Sequence, residues 1–241
     1  MSVEQVSREK AEKVVLPEAR WAALIGDSLV PLPRRRLLAR VILAQAGAKE
    51  GSVLVRDYND PVDEPIAADE WVDLAEGNVF RIVDECVNGK RGGDEQRVPK
   101  LAFFADDAWE ITIEPTQSLQ KLRDLWGLPD DAQIFRDLES PTDQPISTND
   151  VVRFSDGPVF RVVITSVTVK VNRKCVRFTE RRVTGLIVKK TAITQGVSID
   201  VGGMLYRFKP DGELGPAIAD DEHLVLKKCD EFRCVAPDDN S

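Results

Sequence analysis

Short apolar runs separated by turn residues set the pattern of this sequence, and the pattern is clearest in the middle of the chain. Leu101-Ala102-Phe103-Phe104 reads as a strand and Asp106-Asp107-Ala108 as a turn. Trp109-Glu110-Ile111-Thr112-Ile113 follows as an alternating second strand with Trp109, Ile111 and Ile113 on one face. Pro115-Thr116 then opens a helix with Thr116 as its N-cap. Leu119, Leu122, Leu125 and Trp126 recur at three- and four-residue spacing, and Gly127 with Pro129 ends the helix. A strand Gln133-Ile134-Phe135-Arg136, a loop to Pro145-Ile146, a short strand Val151-Val152-Arg153-Phe154 and a closing strand Phe160-Arg161-Val162-Val163 complete the unit.

The closing strand is written three times, again as Phe80-Arg81-Ile82-Val83 and as Phe232-Arg233-Cys234-Val235, each after a small acidic turn. A shift of 80 residues superposes Arg20-Trp21-Ala22 on Lys100-Leu101-Ala102, Gly47 on Gly127 and Arg56-Asp57 on Arg136-Asp137. At the closing strand the next shift is 72, which places Leu74, Phe154 and Leu226 in one column. Self-similarity of this kind means tandem units rather than one large fold. The units run over 20–83, 100–163 and 165–235, with an extension at 1–19, a linker at 84–99 and a tail at 236–241.

The outer copies follow the same plan. Trp21–Ile25 and Ser28–Leu32 form a hairpin, Pro33 sits in the first turn of a helix striped by Leu37, Leu38, Val41 and Ile42, and Gly47 caps it. In the third copy Val167–Val171 and Cys175–Phe178 form the hairpin, Thr184 caps a helix, and a second hairpin turns at Gly202-Gly203. Two strands, a helix and further strands in so few residues imply an α+β unit, a helix lying across one face of a mixed sheet. The first and closing strands then lie side by side in the middle, joined by a right-handed crossover. Phe80, Phe160 and Phe232 become core anchors. The glycine-rich linker suggests that the first unit is loosely tethered, whereas the short spacer Ile164-Thr165-Ser166 suggests a stiffer second and third pair.

This layout, with its acidic-glycine turn before the last strand, resembles the ubiquitin-like β-grasp fold. Asp221-Glu222-His223-Leu224-Val225-Leu226 is similar to the run leading into ubiquitin's C-terminal tail, and Gly77-Asn78-Val79-Phe80-Arg81 and Gly157-Pro158-Val159-Phe160-Arg161 are similar to the last strand of prokaryotic sulfur carriers. Three units in tandem, with Thr179-Glu180-Arg181-Arg182-Val183-Thr184-Gly185 in the last, resemble the bacterial multiubiquitin-domain proteins. The resemblance implies three tandem ubiquitin-like β-grasp domains serving as a protein modifier. Its partners would be activating-enzyme-like, conjugating-enzyme-like and processing-peptidase proteins. It also implies a tail trimmed near Asn240 with removal of Ser241, or alternatively at Asp238 or Asp239, before adenylation of the new carboxylate. The plain alternative is a solvated end. The chain departs from the usual modifier in lacking a terminal Gly-Gly: Gly92-Gly93 falls in the linker and Gly202-Gly203 in the expected turn.

Composition narrows the classes further. A net charge of -8 with 31% charged residues suits a soluble protein and disfavours general nucleic-acid binding. No apolar run of 18 residues and no signal-peptide pattern occurs, so the reading is cytoplasmic with no membrane partner. Cys86, Cys175, Cys229 and Cys234 lack CxxC spacing, and the single histidine, His223, occupies the column of Trp71 and Val151. The expectation is therefore reduced thiols, a half-buried strand histidine, no metal site, no cofactor and no catalytic constellation. Cys86, in the polar linker, is the one candidate for a reactive thiol.

Acids crowd the first unit, including Asp63, Glu64, Asp69 and Glu70, and bases crowd the third, including Arg173, Lys174, Arg181 and Arg182. Ordinary solvated charge explains them, or else these surfaces are complementary and support a non-conjugated scaffold that binds partners or assembles head-to-tail.

Overall fold

The computed structural model describes residues 18–59, 64–84, 97–106 and 108–236. Among the described residues, twenty-one strands and three short α-helices fall into three successive sets of the same composition. The first holds β1 (Trp21–Ile25), β2 (Ser28–Leu32), β3 (Arg36–Leu38), α1 (Ala39–Gln45), β4 (Ser52–Arg56), β5 (Glu64–Ile66), β6 (Trp71–Asp73) and β7 (Val79–Asp84). The second holds β8 (Leu101–Ala105), β9 (Ala108–Thr112), β10 (Thr116–Ser118), α2 (Leu119–Leu125), β11 (Gln133–Arg136), β12 (Gln144–Pro145), β13 (Val151–Arg153) and β14 (Val159–Val163). The third holds β15 (Val167–Val171), β16 (Lys174–Phe178), β17 (Arg182–Thr184), α3 (Gly185–Thr194), β18 (Met204–Phe208), β19 (Leu214–Ile218), β20 (His223–Val225) and β21 (Glu231–Val235).

Each set builds a five-stranded mixed sheet with one order: β2-β1-β7-β4-β5, β9-β8-β14-β11-β12 and β16-β15-β21-β18-β19. First and closing strands are parallel neighbours in the middle, in equivalent registers that pair Ile25 with Phe80, Ala105 with Phe160 and Val171 with Phe232. A parallel pair needs a crossover, and the helix of each set supplies it. The three phenylalanines lie inside, at 0%, 1% and 0% exposure.

The helices start later than the apolar spacing suggests. Residues 36–38, 116–118 and 182–184 stay extended because each pairs antiparallel with the short strand before the closing turn, β6, β13 or β20. Pro33 and Thr116 thus lie outside the helices. Ser118 caps α2 by accepting from Lys121 N, and Thr184 caps α3 by accepting from Ile187 N, as its position in the sequence suggested. In the third set Gly202-Gly203 precedes β18 rather than turning a hairpin. The turn lies between β18 and β19, where Gly212 takes φ +85° and Lys209 N donates to Glu213 O.

Packing between sets reverses the expected tethering. The first and second share one continuous core, in which the Trp21 ring meets Phe154 edge-on at 6.2 Å. A further apolar layer joins the outer faces of their sheets through Ala22, Leu24, Val79, Ala102 and Phe104. The third has a core of its own. Buried surface, rather than linker length, decides which units are coupled. His223 is exposed, like Trp71 and Val151 in its column, so the half-buried reading does not hold. All three begin or lie on two-stranded ribbons whose middle residue, Val72, Val152 or Leu224, alone points inward.

Candidate functional site

The closing strands organise the chemistry of the molecule, and each is held by an arginine. Arg56, Arg136 and Arg207 stand opposite Phe80, Phe160 and Phe232 across the ladder. Each guanidinium lies over its phenylalanine ring, at 5.7, 5.6 and 5.5 Å from the centroid. Each donates through Nη2 to the carbonyl ending the short strand or its ladder: Asp73 O at 3.2 Å, Arg153 O at 3.3 Å and Val225 O at 2.8 Å. Each is balanced by an acid of the closing turn, Glu76 at 3.6 Å, Asp156 at 3.9 Å and Asp230. Burial pushes the Arg136 guanidinium below its ordinary range, opposed by Asp156 and Asp150. These arginines cross-link the sheet to the turn and are structural cations, not free ones.

The first joint between units is reciprocal. Arg20 N donates to Asp137 O and Arg20 Nε meets Asp137 Oδ1 at 3.0 Å, while Lys100 N donates to Asp57 O and Lys100 Nζ meets Asp57 Oδ2 at 3.0 Å. Ala19 bridges Leu138 and Pro99 bridges Tyr58, so the segment leading into each first strand caps the other unit. Gly157 and Gly77, at φ +116° and +125°, make room for these arms: a Cβ there would lie 2.4 Å from Ala19 Cβ and 2.7 Å from Pro99 Cβ. Asn78, fully buried, closes the middle. Its Nδ2 donates to Ala22 O and Ala102 O at 3.0 and 2.9 Å, and its Oδ1 accepts from Ala102 N at 2.7 Å.

The second joint is polar. Arg181 donates to Leu226 O of its own unit and to Trp126 O of the second, and Lys228 N donates to Gly127 O. Lys227 pairs with Glu110 and Lys228 with Asp130 at 2.8 Å. Beside this joint lies a cleft of about 440 Å³ lined by residues that include Ala105, Val163 and Arg182.

The residues singled out from the sequence therefore fall in different places. Arg181 is buried in the second joint and takes no part in an outer basic surface. Lys174 Nζ is held by Gly196 O, and Glu64 accepts from the Tyr58 hydroxyl. Asp69 and Glu70 lie side by side in the first unit, the one exposed and the other half-buried, apart from the exposed Arg173 of the third, and Arg182 makes contacts within the fold. Asp63, Asp238, Asp239, Asn240, Ser241 and Cys86 lie outside the described residues. Cys175 and Cys229 are exposed, while burial raises the Cys234 thiol pKa. Among the described residues no cluster of His, Cys, Asp and Glu could hold a metal ion, and no helix is long and apolar enough to cross a membrane.

What the sequence reading missed is the outer face of the first joint, and the signal was present. Trp21–Ile25 and Leu101–Ala105 are apolar at every position and buried at every position, whereas Val167–Val171 alternates buried and exposed. A strand covered on both faces is written as a continuous apolar run. No protein-family model matches the chain, and no curated protein matches it.

Proposed function

We propose that the chain is a protein modifier: three tandem ubiquitin-like β-grasp units of a bacterial conjugation pathway, with the third presenting the end that is processed and then adenylated. The observation that carries this reading is the sheet order repeated three times, with the parallel first and closing strands at its centre. In the third unit that closing strand, β21, leads directly into residues 236–241. The chain itself performs no chemistry in this scheme. Activating- and conjugating-type enzymes act on the carboxylate exposed when the tail is cut at Asp238, Asp239 or Asn240. Intact mass after co-expression with such enzymes and the processing peptidase tests it. The expected result is a trimmed chain and adducts on other proteins, both lost when residues 236–241 are deleted. A chain that keeps its full mass and forms no adduct would refute the proposal.

One observation favours a second reading, a scaffold that binds partners without being conjugated: two of the units already bury their outer faces on one another. Light scattering over a concentration series separates the two, because a scaffold that self-associates gains mass with concentration and a free modifier does not.

A further inference from the structure

The hairpin turn beside each closing strand carries a residue in the left-handed region, and the three copies differ there in one respect. Gly26, Asp106 and Asn172 occupy the same place, at φ +58°, +55° and +45°, and each donates its backbone N–H to the carbonyl of the anchoring phenylalanine. Beyond that bond the parallel ladder has no backbone left to offer. Gly26 has no side chain with which to continue it, and Asp106 Oδ1 accepts from Val162 N at 3.3 Å. Among the three, Asn172 alone makes both bonds that a longer β15 would make to Cys234: Oδ1 accepts from Cys234 N at 2.8 Å and Nδ2 donates to Cys234 O at 3.0 Å. A primary amide has the donor and acceptor of a peptide group, so the side chain extends the ladder by one residue. The extension occurs in the unit whose closing strand leads into the tail. Clefts of about 510 and 500 Å³ flank that strand end, and Asn172 and Cys234 line both.

We propose that Asn172 is a positioning residue for tail processing. It closes the β15 edge of β21 at Cys234, while β18 pairs the other edge as far as Val235, and so limits how far the strand end frays toward a peptidase reaching in from the flanking clefts. The processing role rests on the modifier reading; the clamp does not. Asn172→Gly tests the clamp in the full chain, because glycine is native at the matching place in the first unit and suits a positive φ. Asn172→Asp keeps the acceptor and loses the donor, as in the second unit. Hydrogen exchange of the Cys234 amide is expected to quicken about tenfold in Asn172→Gly and less in Asn172→Asp. Limited proteolysis is expected to gain cuts at residues 233–236, while exchange at Ala102, in the first joint, stays unchanged. If Asn172→Gly unfolds the third unit, the aspartate variant still decides. Unaltered Cys234 exchange in both variants would overturn the clamp. On co-expression with the processing peptidase, the wild-type chain should yield one C-terminus by intact mass and Asn172→Gly several. A single end from both variants would overturn the positioning role. A wild-type chain that is never trimmed refutes the modifier reading and leaves the exchange result standing.

Discussion

At the scale of single residues, stability rests on buried cations engaged through their terminal nitrogens, the buried Nε of Arg56 and of Arg136 making no hydrogen bond. Arg136 is 6% exposed and touches the Phe160 ring, Arg153 O and Asp156 at once. Arg136→Met keeps much of the stem packing but leaves Arg153 O without its donor, and should cost about 2 kcal/mol by urea denaturation. A loss below about 0.5 kcal/mol would show that the bond contributes nothing net. Asp73 makes a pH-dependent contribution. Burial alone would raise its pKa, but the Arg35 hydrogen bond, Ala75 N and the charges of Arg35 and Arg36 outweigh it, and the carboxylate sits below its ordinary value. A depressed carboxylate stabilises the fold above its ordinary pKa of about 3.9 and loses that contribution as pH falls through the folded value. Asp73→Asn should therefore lower the melting temperature at pH 7, and the gap to wild type should close as pH falls below about 4. A gap that persists unchanged at low pH would assign the effect to packing. The arginine column was half legible in the sequence. Arg56 and Arg136 superpose at the same shift as their closing strands, but Arg207 lies one residue off the shift that aligns Phe160 with Phe232, so a fixed offset hides it.

Elements explain why the units pair as they do. The repeats, the central place of the closing strand and the extent of most strands were readable, because alternation and turn residues report local geometry. The pairing was also written in the chain, in the two continuously apolar first strands, but it is legible only once one knows that the helix covers one face and something else must cover the other. Linker length gave the opposite answer, since a flexible tether costs little when the faces it joins bury apolar surface. In the third unit the exposed Thr168 and Lys170 occupy the outer-face positions. Its β18–β19 hairpin also uses Lys209 N in the place where Tyr58 or Leu138 receives an arm. Asn78 makes the first joint specific. Asn78→Ala would strand Ala102 N, Ala102 O and Ala22 O in an apolar layer, and the expected cost is about 3 kcal/mol. Exchange at the Ala102 amide should accelerate, and small-angle scattering should show a larger radius as the first two units part. Unchanged scattering together with a small stability loss would mean that the apolar contacts suffice without the asparagine.

For the whole molecule, the contrast between the two joints predicts where it bends. The first has an apolar layer, with Ala22, Leu24, Ala102 and Phe104 almost wholly hidden, that holds it together beside its two ion pairs, Arg20–Asp137 and Lys100–Asp57. The second is held by ion pairs, of which Lys228–Asp130 is 48% and 75% exposed, and by a few bonds to backbone carbonyls. Pairs this open contribute about 0–1 kcal/mol and are screened, the Debye length falling from about 10 Å at 0.1 M salt to about 3 Å at 1 M. Raising salt should therefore loosen the third unit against the second while leaving the first two together. Spin-label distances should broaden between the second and third units at 1 M salt and stay narrow between the first and second. Lys228→Glu places like charge beside Asp130 and should produce the broadening at low salt, with Arg181 still bonded to Trp126 O as the residual hinge. Equal broadening at both joints, or at neither, would contradict the assignment. If only the second joint yields, the molecule behaves as a rigid pair carrying one movable unit, and the movable unit is the one whose closing strand leads into the tail.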